Sequence, residues 1–585
     1  MKVIAATLNA KYIHTNIAIR YLKAYAAPEF DIELAEYTIK DPAMNIVTDL
    51  YNRKPDVIGF SCYIWNIRET IQVVSMIKKV LPNVTIVFGG PEVTYDYEDW
   101  LQTVSELDFI VIGEGEVTFK ELLTALSTNN QMEHISGLAY RRNDTLYVTP
   151  QRSKLQLQDM PSPYQFEEDI PHLSKRVSYI ETSRGCPFSC QFCLSSIEVG
   201  VRYFNREKIK EDIRYLMANG ARTIKFVDRT FNISRSYAME MFEFLINEHV
   251  PGTVFQFEIT ADIMRPEVIE YLNEHAPAGL FRFEIGVQST NEYTNELVQR
   301  KQNWDKLVRT VSLVKNGNKI DQHLDLIAGL PEENYTSFRR TFNDVFALRP
   351  EELQLGFLKM LRGTGLRVRA NEYGYIFMEQ APYEMLANSV LSFADVVRIK
   401  QVEDVLEKYW NDHRMDETIE FIVTHVFETP FDFFQEFGTY WEEQGWGRIG
   451  HQLEDLFIRL YTFIRYSKPA MLNAVFALMK IDYLRNQKYK PRKPWWDDTL
   501  SKDERSKLYR KITEAPHLLG SEFVKLALSE KDMHKHTIID TVSVDLQDWY
   551  KEADVKEGET IVLAYFDPYD RVTKLFFGNQ NLLLV

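Results

Sequence analysis

The sequence predicts an α/β protein in three parts. These are an N-terminal doubly wound parallel sheet, a partial (β/α) barrel, and a mainly helical C-terminal domain with a short β end. Three observations carry the prediction. Short apolar runs alternate with helical periodicities over residues 1–130, the alternation resumes from Val177, and beyond Tyr373 long aromatic-rich helical stretches replace it. A chain of 585 residues also exceeds one core, since cores stop growing near roughly 250–300 residues.

In the first part, Val3–Leu8, Ile32–Tyr37, Val57–Cys62, Thr85–Gly90 and Phe109–Glu114 read as strands, with helical periodicity over Ile71–Leu81 and Phe119–Ser127 between or after them. Strands buried on both faces and separated by helices form a parallel sheet, and ligands bind such sheets beyond the carboxyl ends of the strands. The segments there are Asn9–Asn16, Tyr63–Asn66, Gly89–Thr94 and Gly113–Thr118. Residues 131–172 form a connector: Ile135–Pro150 reads as a hairpin turning at Asn143-Asp144, and Asp159–Pro171 as a proline-rich linker. Residues 173–370 carry six more strands, beginning with Val177–Thr182, Thr223–Asp228 and Val254–Thr260 and continuing with Leu280–Ser289, His323–Pro331 and Glu352–Met360. Helical segments such as Arg206–Asn219 and Trp304–Lys315 separate them, which makes a (β/α) barrel with its chemistry at the strand carboxyl ends. In residues 371–585, Val402–His413 and Leu453–Tyr466 read as helices, Thr537–Leu546 and Thr560–Phe577 as strands, and Asp567-Pro568 as a turn.

The hydrophobic fraction of 45% supports large cores, and the net charge of −16 disfavours nucleic-acid phosphates outside a local basic patch. No stretch is apolar enough to span a bilayer, and the N-terminus lacks a signal-peptide core, so the expectation is a soluble cytoplasmic protein. The stretch Arg485–Trp496 interleaves basic and aromatic residues, as single-strand nucleic-acid grooves do, and reads equally as an exposed loop.

Three of the four cysteines, Cys186, Cys190 and Cys193, fall in a C-x3-C-x2-C pattern directly after the first barrel strand. Three thiolates can hold three irons of a 4Fe–4S cluster and leave the fourth iron open, whereas structural zinc takes four closed ligands and no fourth is nearby. Cys62 ends a buried strand and reads as a core residue, so no thiols remain for a second cluster.

This motif, with Phe192 before its last cysteine, resembles that of the radical S-adenosylmethionine superfamily. The resemblance covers roughly Val177–Leu361. It implies a cluster whose open iron is chelated by adenosylmethionine, an electron donor of the flavodoxin or ferredoxin type, and a 5′-deoxyadenosyl radical. It further implies that Ile327, Gly329 and Pro331 of the fifth strand pack against the adenine. Glu284 and Gln288 of the fourth strand would reach the ribose and methionine, and Glu258 is a weaker candidate. Asp228 or nearby backbone would take the methionine amine. For each polar residue the alternative is an ordinary hydrogen-bonded strand-end group.

A doubly wound domain before such a barrel resembles the cobalamin-binding members, in particular a subgroup with its own C-terminal domain. The segments beyond the first-sheet strands then offer Asn9, His14, Ser61, Tyr63, Gly89, Gly90, Gly113, Glu114 and Gly115 to cobalamin. The D-x-H-x-x-G cobalt-ligating motif is absent, so His14 is expected to be a loop histidine. The implied reaction is methyl transfer to an unactivated carbon or phosphorus of a small molecule or peptide. The alternatives are a non-methylating, ring-forming or rearranging radical enzyme and a nucleic-acid-modifying or RNA-binding protein.

Overall fold

The computed structural model describes residues 1–128, 130–142, 145–197, 200–546 and 556–578, in two compact units, Met1–Val396 and Val397–Val585.

The first unit opens with β1 (Val3–Asn9), α1 (Ile17–Ala26), β2 (Ile32–Thr38), α2 (Ala43–Arg53), β3 (Val57–Ser61) and α3 (Ile67–Val80). It continues through β4 (Thr85–Gly89), α4 (Tyr97–Thr103), β5 (Phe109–Val111), α5 (Glu116–Thr128), β6 (Leu138–Arg142) and β7 (Thr145–Val148). The sheet order is β2-β1-β3-β4-β5-β6-β7, parallel through β5 and antiparallel at β6 and β7. The predicted connector hairpin therefore extends this sheet; its turn residues Asn143 and Asp144 lie outside the described residues. β1 and β3 are buried at every position. One face packs on Ile19, Phe119, Leu122 and Leu123 of α1 and α5, each worth roughly 1.5–3 kcal/mol when fully buried.

The barrel comprises β8 (Val177–Ile180), a hairpin of β9 (Ser183–Cys186) and β10 (Gly200–Tyr203), α6 (Arg206–Ala218), β11 (Thr223–Phe226) and α7 (Arg235–Glu248). Then come β12 (Val254–Ile259), α8 (Pro266–His275), β13 (Phe281–Gln288), α9 (Glu292–Leu297), α10 (Trp304–Gly317), β14 (Asp321–Ala328), α11 (Tyr335–Phe346) and β15 (Glu352–Phe357). Its six parallel strands run in the order β15-β14-β13-β12-β11-β8, so β15 and β8 are the edge strands and do not pair with each other. Asn205, Ser234, Asn291, Asn303 and Asn334 cap five of the helices by accepting first-turn N–H groups. The strands alternate. Phe226, Phe257, Phe281 and Phe283 face outward into a phenylalanine cluster with Phe231 and Phe242, where Phe226 stacks on Phe257 at 4.4 Å. The opposite face turns inward.

The second unit is helical, with Pro430–Glu443, Leu453–Ser467 and Leu472–Arg485 among its helices, and ends in a three-stranded antiparallel sheet of Thr537–Asp545, Lys556–Phe566 and Thr573–Gly578. Asp567 begins the predicted turn, its carboxylate accepting from Tyr569 N–H at 2.9 Å. The aromatic end of the Arg485–Trp496 stretch is structural. Trp496 donates to Asp540 at 2.6 Å beside the buried Lys480–Asp540 pair, and Trp495 packs on Phe457, Tyr461 and Phe476. Neither tryptophan is left as a stacking platform for a base.

Candidate active site

The β9–β10 hairpin, which lies just beyond the first barrel strand, carries the cysteines. Cys186 closes β9, while Cys190 and Cys193 occupy the loop. Gly185 has a φ of +101°, and a Cβ there would collide with the Gly200 carbonyl, so glycine alone lets the arms meet. Ser196 donates to the carbonyls of Cys190 and Cys193, both at 2.6 Å, and Gln191 exchanges backbone bonds of 2.9 Å with Val298 and Leu366. Burial raises the pKa of the Cys186 and Cys190 thiols; for Cys190, the guanidinium of Arg300 opposes this. The thiols are close enough to repel one another electrostatically once ionised. Among the described residues no three His, Cys, Asp or Glu side chains converge on a single ion. An iron–sulfur cube takes one thiolate per iron, so three thiols spread around one loop fit it better than they fit one ion.

Asp228 is engaged within the protein. It is 1% exposed, and its oxygens accept from the Thr182 backbone at 3.1 Å, the Thr182 hydroxyl at 2.7 Å and the Ser183 hydroxyl. It braces the start of β9. Glu284 is also engaged: both oxygens accept from Lys225, at 2.7 and 2.6 Å. Gln288 is different. It has a φ of +69° at a register shift between β13 and β14, and its buried Oε1 has no partner among the described residues. Backbone strain with an orphaned acceptor is the usual mark of a ligand contact. Phe192, Glu258 and Ile327 are half-buried. Pro331 is buried, its carbonyl accepting from Thr294 at 2.9 Å. Gly329 has a φ of +94°, but a Cβ there would meet the Met385 side chain at 2.9 Å. A valine would therefore act through packing and strain, not by filling an open adenine path.

The inward face of the barrel is polar, with Tyr179, Lys225, Gln256, Glu258, Arg282, Glu284, Asp325 and Glu352 half-buried along it. Lys225 pairs with Glu284, Arg282 with Glu352, and His323 with Asp325 at 2.9 Å. Glu258 has no hydrogen-bond partner among the described residues; burial raises its pKa, with Arg229 and Lys225 opposing.

Across from the barrel stand the carboxyl ends of the first sheet. The Asn9–Asn16 loop is docked on β8: His14 bridges Val177, its Nδ1 shares a 2.7 Å hydrogen bond with the Tyr179 hydroxyl, and Arg176 and Asn9 donate to its carbonyl. Burial lowers the His14 pKa. Tyr63 stacks on Trp65 at 4.3 Å, and Ser61 is buried at the end of β3. Gly90 has a φ of +111° with the Cys62 carbonyl against its Cβ position, whereas Gly113, with a φ of +76°, opens onto space. Gly89 and Gly115 make ordinary contacts with Val111. Glu114 is engaged within the chain. It accepts from Arg202 at 2.6 Å, Arg184 at 3.3 Å and Leu155 N–H at 2.9 Å, which ties this loop to the cysteine hairpin. Cys62 is fully buried, as expected of a core thiol.

A second bridge joins the Gly89–Thr94 loop to the segment after β15: Arg362 donates to Asp96 at 2.7 Å, Asp99 at 3.0 Å and the Tyr383 hydroxyl at 3.0 Å, and Tyr383 donates to Glu92. Sequence reading missed Arg184, Arg202, Lys225, Arg300 and Arg362. The alternation within Thr223–Phe226 marks Lys225 as an inward residue, but Arg362 and Asp96 are 266 positions apart and leave no local signal.

With this geometry in place, residues 3–123 match the B12 binding domain family and residues 180–345 the radical SAM superfamily. Residues 371–564 match the family described as protein of unknown function (DUF4080). The chain thus combines a cobalamin-binding domain with a radical S-adenosylmethionine domain. These domains define its cofactors as a 4Fe–4S cluster, adenosylmethionine and cobalamin. Relatives include the uncharacterized methyltransferase PH0819 of Pyrococcus horikoshii, 30% identical over 38% of this chain and 51% of that protein. The cobalamin-dependent radical SAM methyltransferase TokK of Streptomyces tokunonensis is 33% identical over 31% of this chain and 28% of its own length. The anaerobic magnesium-protoporphyrin IX monomethyl ester cyclase of Synechocystis is 25% identical over 53% of this chain and 62% of its own. The chain therefore spans between about a quarter and about three-fifths of these relatives. In fold it resembles the radical S-adenosylmethionine methyltransferase TsrM of Kitasatospora setae, solved with cobalamin and a 4Fe–4S cluster, at a TM-score of 0.56 and 14% identity over 66% of this chain and 79% of that one. Two features of the residues present fit this cofactor set: Gln288 offers an orphaned acceptor, and Gly113 borders open space. Among the described residues no helix is long and apolar enough to cross a membrane.

Proposed function

We propose that the protein is a cobalamin-dependent radical S-adenosylmethionine methyltransferase acting on a polar small molecule. The observation that carries this reading is the bridging of the two sheet edges by Arg184, Arg202 and Arg362, which sets the first-sheet loops beside the cysteine hairpin. Cys186, Cys190 and Cys193 would hold the cluster. When bound, the cofactors supply a 5′-deoxyadenosyl radical from adenosylmethionine and a methyl group from cobalamin.

The rest of the work falls to the chain. Gln288 gives adenosylmethionine an acceptor, Phe192, Ile327 and Pro331 flank it, and Gly329 shapes the strand end. Asn9, Ser61, Tyr63, Gly89, Gly90, Gly113 and Gly115 border the corrin. His14, whose Nδ1 is held by Tyr179, would serve as a loop residue linking the first sheet to β8. The bridges keep both edges in one geometry, which group transfer between them requires. The paired charges of the lumen support a polar substrate, because an apolar one would strip water from those groups without replacing it. Methyl transfer to an unactivated carbon or phosphorus, of a small molecule or a peptide, and electron delivery by a flavodoxin or ferredoxin complete the proposal.

Anaerobic reconstitution with iron, sulfide and hydroxocobalamin tests it. Formation of 5′-deoxyadenosine and a product heavier by one CH2 is the expected outcome; loss of either cofactor would end the reading. The similarity to the magnesium-protoporphyrin cyclase favours one rival, ring formation, which leaves the carbon count of the substrate unchanged.

A further inference from the structure

In the second unit, Arg459 carries a buried charge that nothing answers. It stands on the helix Leu453–Ser467 and is 7% exposed. Its Nη1 is buried without a hydrogen-bond partner, and among the described residues no carboxylate pairs with the guanidinium. The group lies over two tryptophan rings instead, Trp441 at 5.0 Å and Trp446 at 5.4 Å. Trp441, on the helix Pro430–Glu443, is 1% exposed, and its Nε1 is also buried without an acceptor. Guanidinium and indole N–H groups can only donate, so both orphans call for the same kind of atom.

The loop between these helices holds Gly445, Gly447 and Gly450, and residues 447–450 are exposed. A Cβ on Gly447 would stand 3.5 Å from Trp441 Nε1, so the bare glycine leaves the space before that N–H clear at the surface. Two carboxylates border the same point, Asp404 Oδ2 at 3.4 Å and Glu442 Oε2 at 3.6 Å. Each is already paired, Asp404 with Lys408 and Glu442 with Arg448 at 2.9 Å. His451 packs edge-on against Trp441 at 6.1 Å; burial and the neighbouring Lys408, Arg459 and Arg414 lower its pKa, so it is uncharged at neutral pH. Arg414 has Asp412 at 3.1 Å. One positive charge, that of Arg459, is left over. Ring faces attract a cation far more weakly than the water that burial removes, so the charge needs an anion.

We infer that the second unit holds a binding site for a single carboxylate group, with Arg459 and the Trp441 indole N–H as its donors and Gly447 at its entrance. A carboxylate brings one negative charge against one surplus positive charge, and its two oxygens match the planar guanidinium fork. A phosphate dianion would leave a negative charge beside Asp404 and Glu442. The site uses none of the residues assigned above to the cluster, adenosylmethionine or cobalamin, and it stands whether or not the proposed reaction does.

The test is a titration of anaerobically reconstituted full-length protein carrying isotope-labelled indole nitrogens, at constant ionic strength with chloride as the balancing ion. The chain has nine tryptophans, and the magnetic-resonance signal missing from Trp441→Phe identifies Trp441. Sodium acetate should move that signal saturably as its N–H gains an acceptor, with a weaker response to sodium phosphate. Arg459→Met should lose the response, and Arg459→Lys, which keeps the charge but not the fork, should need about tenfold more acetate. A wild-type signal unmoved by acetate would overturn the inference and make Arg459 a structural cation on its tryptophans. An equal response in Arg459→Met would overturn it by placing the binding elsewhere, and a stronger response to phosphate than to acetate would overturn the carboxylate assignment. If Arg459→Met does not fold, Arg459→Lys decides: a weakened acetate response supports the site, and a wild-type response overturns it.

Discussion

The two parallel sheets of the first unit solve the same problem in opposite ways. In the N-terminal sheet, β1 and β3 are buried at every position, because helices cover both faces. A ligand can meet that sheet only at its carboxyl edge, through loop backbone and glycines such as Gly113. In the barrel, β12 and β13 alternate between buried phenylalanine, isoleucine or valine and half-buried residues that, Val254 and Gly286 apart, are polar. One face is rolled inward, so a ligand meets side chains there. The difference is one of recognition. The first sheet offers shape and backbone, and the barrel offers charge, most of it already paired within the lumen.

The hairpin between the two edges gives the largest expected effect. Serine at Cys186, Cys190 or Cys193 is expected to abolish iron binding in anaerobically reconstituted protein, because a hydroxyl ionises far too weakly to replace a thiolate. Serine at Cys62, sealed in the first-sheet core, is expected to leave the iron content near four per chain, the stoichiometry of one 4Fe–4S cluster. Iron quantitation separates them, and equal loss from all four variants would erase the contrast between core thiol and ligand thiol.

Two glycines at the first sheet's edge sharpen the contrast further. Gly90→Val drives a Cβ into the Cys62 carbonyl at a positive φ, so both thermal stability and cobalamin uptake should fall. Gly113→Ala meets nothing within 4 Å, so its stability cost is the backbone term alone, about 1–2 kcal/mol. Its damage should appear mainly in cobalamin affinity, read by titration with hydroxocobalamin. A Gly113 variant that binds cobalamin normally would mean that the open edge is not the ligand's approach.

These contrasts also define what could be read from the chain. The strands of the two sheets, the cysteine loop and the β end were legible because each is a local pattern: apolar runs, close thiols, a turn at Asp567. Gln288 was legible for the same reason, as a polar residue ending an apolar strand. The internal partners of Glu114 and Asp228 were not legible, since a carboxylate beside a glycine or at a strand end looks free until its partner is known. Their partners, Arg202 and Ser183 among others, come from a hairpin that only the fold brings near. The role of Arg362 rests on contacts made across the whole first unit, which no window of sequence contains.

A third prediction concerns the acids that the barrel buries. Glu333 is fully buried, its Oε1 accepting from Ser289 at 2.6 Å and Thr341 at 2.7 Å, and burial pushes its pKa up to about 7. The folded protein then holds more protons here than the unfolded chain between about pH 4.5 and about pH 7. The stabilising term is complete below about pH 4.5 and is lost as pH rises through about pH 7, about 3 kcal/mol in all. Glu333→Gln keeps the acceptor and removes the proton, so its urea midpoint should fall less than that of wild type between about pH 5 and about pH 8. Superimposed pH profiles would show that the carboxyl is ionised throughout.

The smallest effect expected is at His14, where the two sheets touch. Its Nδ1 is spent on the Tyr179 hydroxyl at 2.7 Å, and burial lowers its pKa, so at neutral pH it is an uncharged link between the first-sheet loop and β8. His14→Ala should therefore cost about 1 kcal/mol of stability, one hydrogen bond. Tyr179→Phe should cost a similar amount, and the double variant little more than either, because both remove the same bond. Cobalamin affinity should change by less than about tenfold, about 1.4 kcal/mol, because without the D-x-H-x-x-G motif the imidazole is not expected to hold cobalt. A paramagnetic spectrum of the cob(II)alamin form without nitrogen splitting from the protein would agree with this. A nitrogen signature that disappears in His14→Ala, together with a large loss of affinity, would place the ring on cobalt. Tyr179 would then hold Nδ1 while Nε2 meets the cofactor.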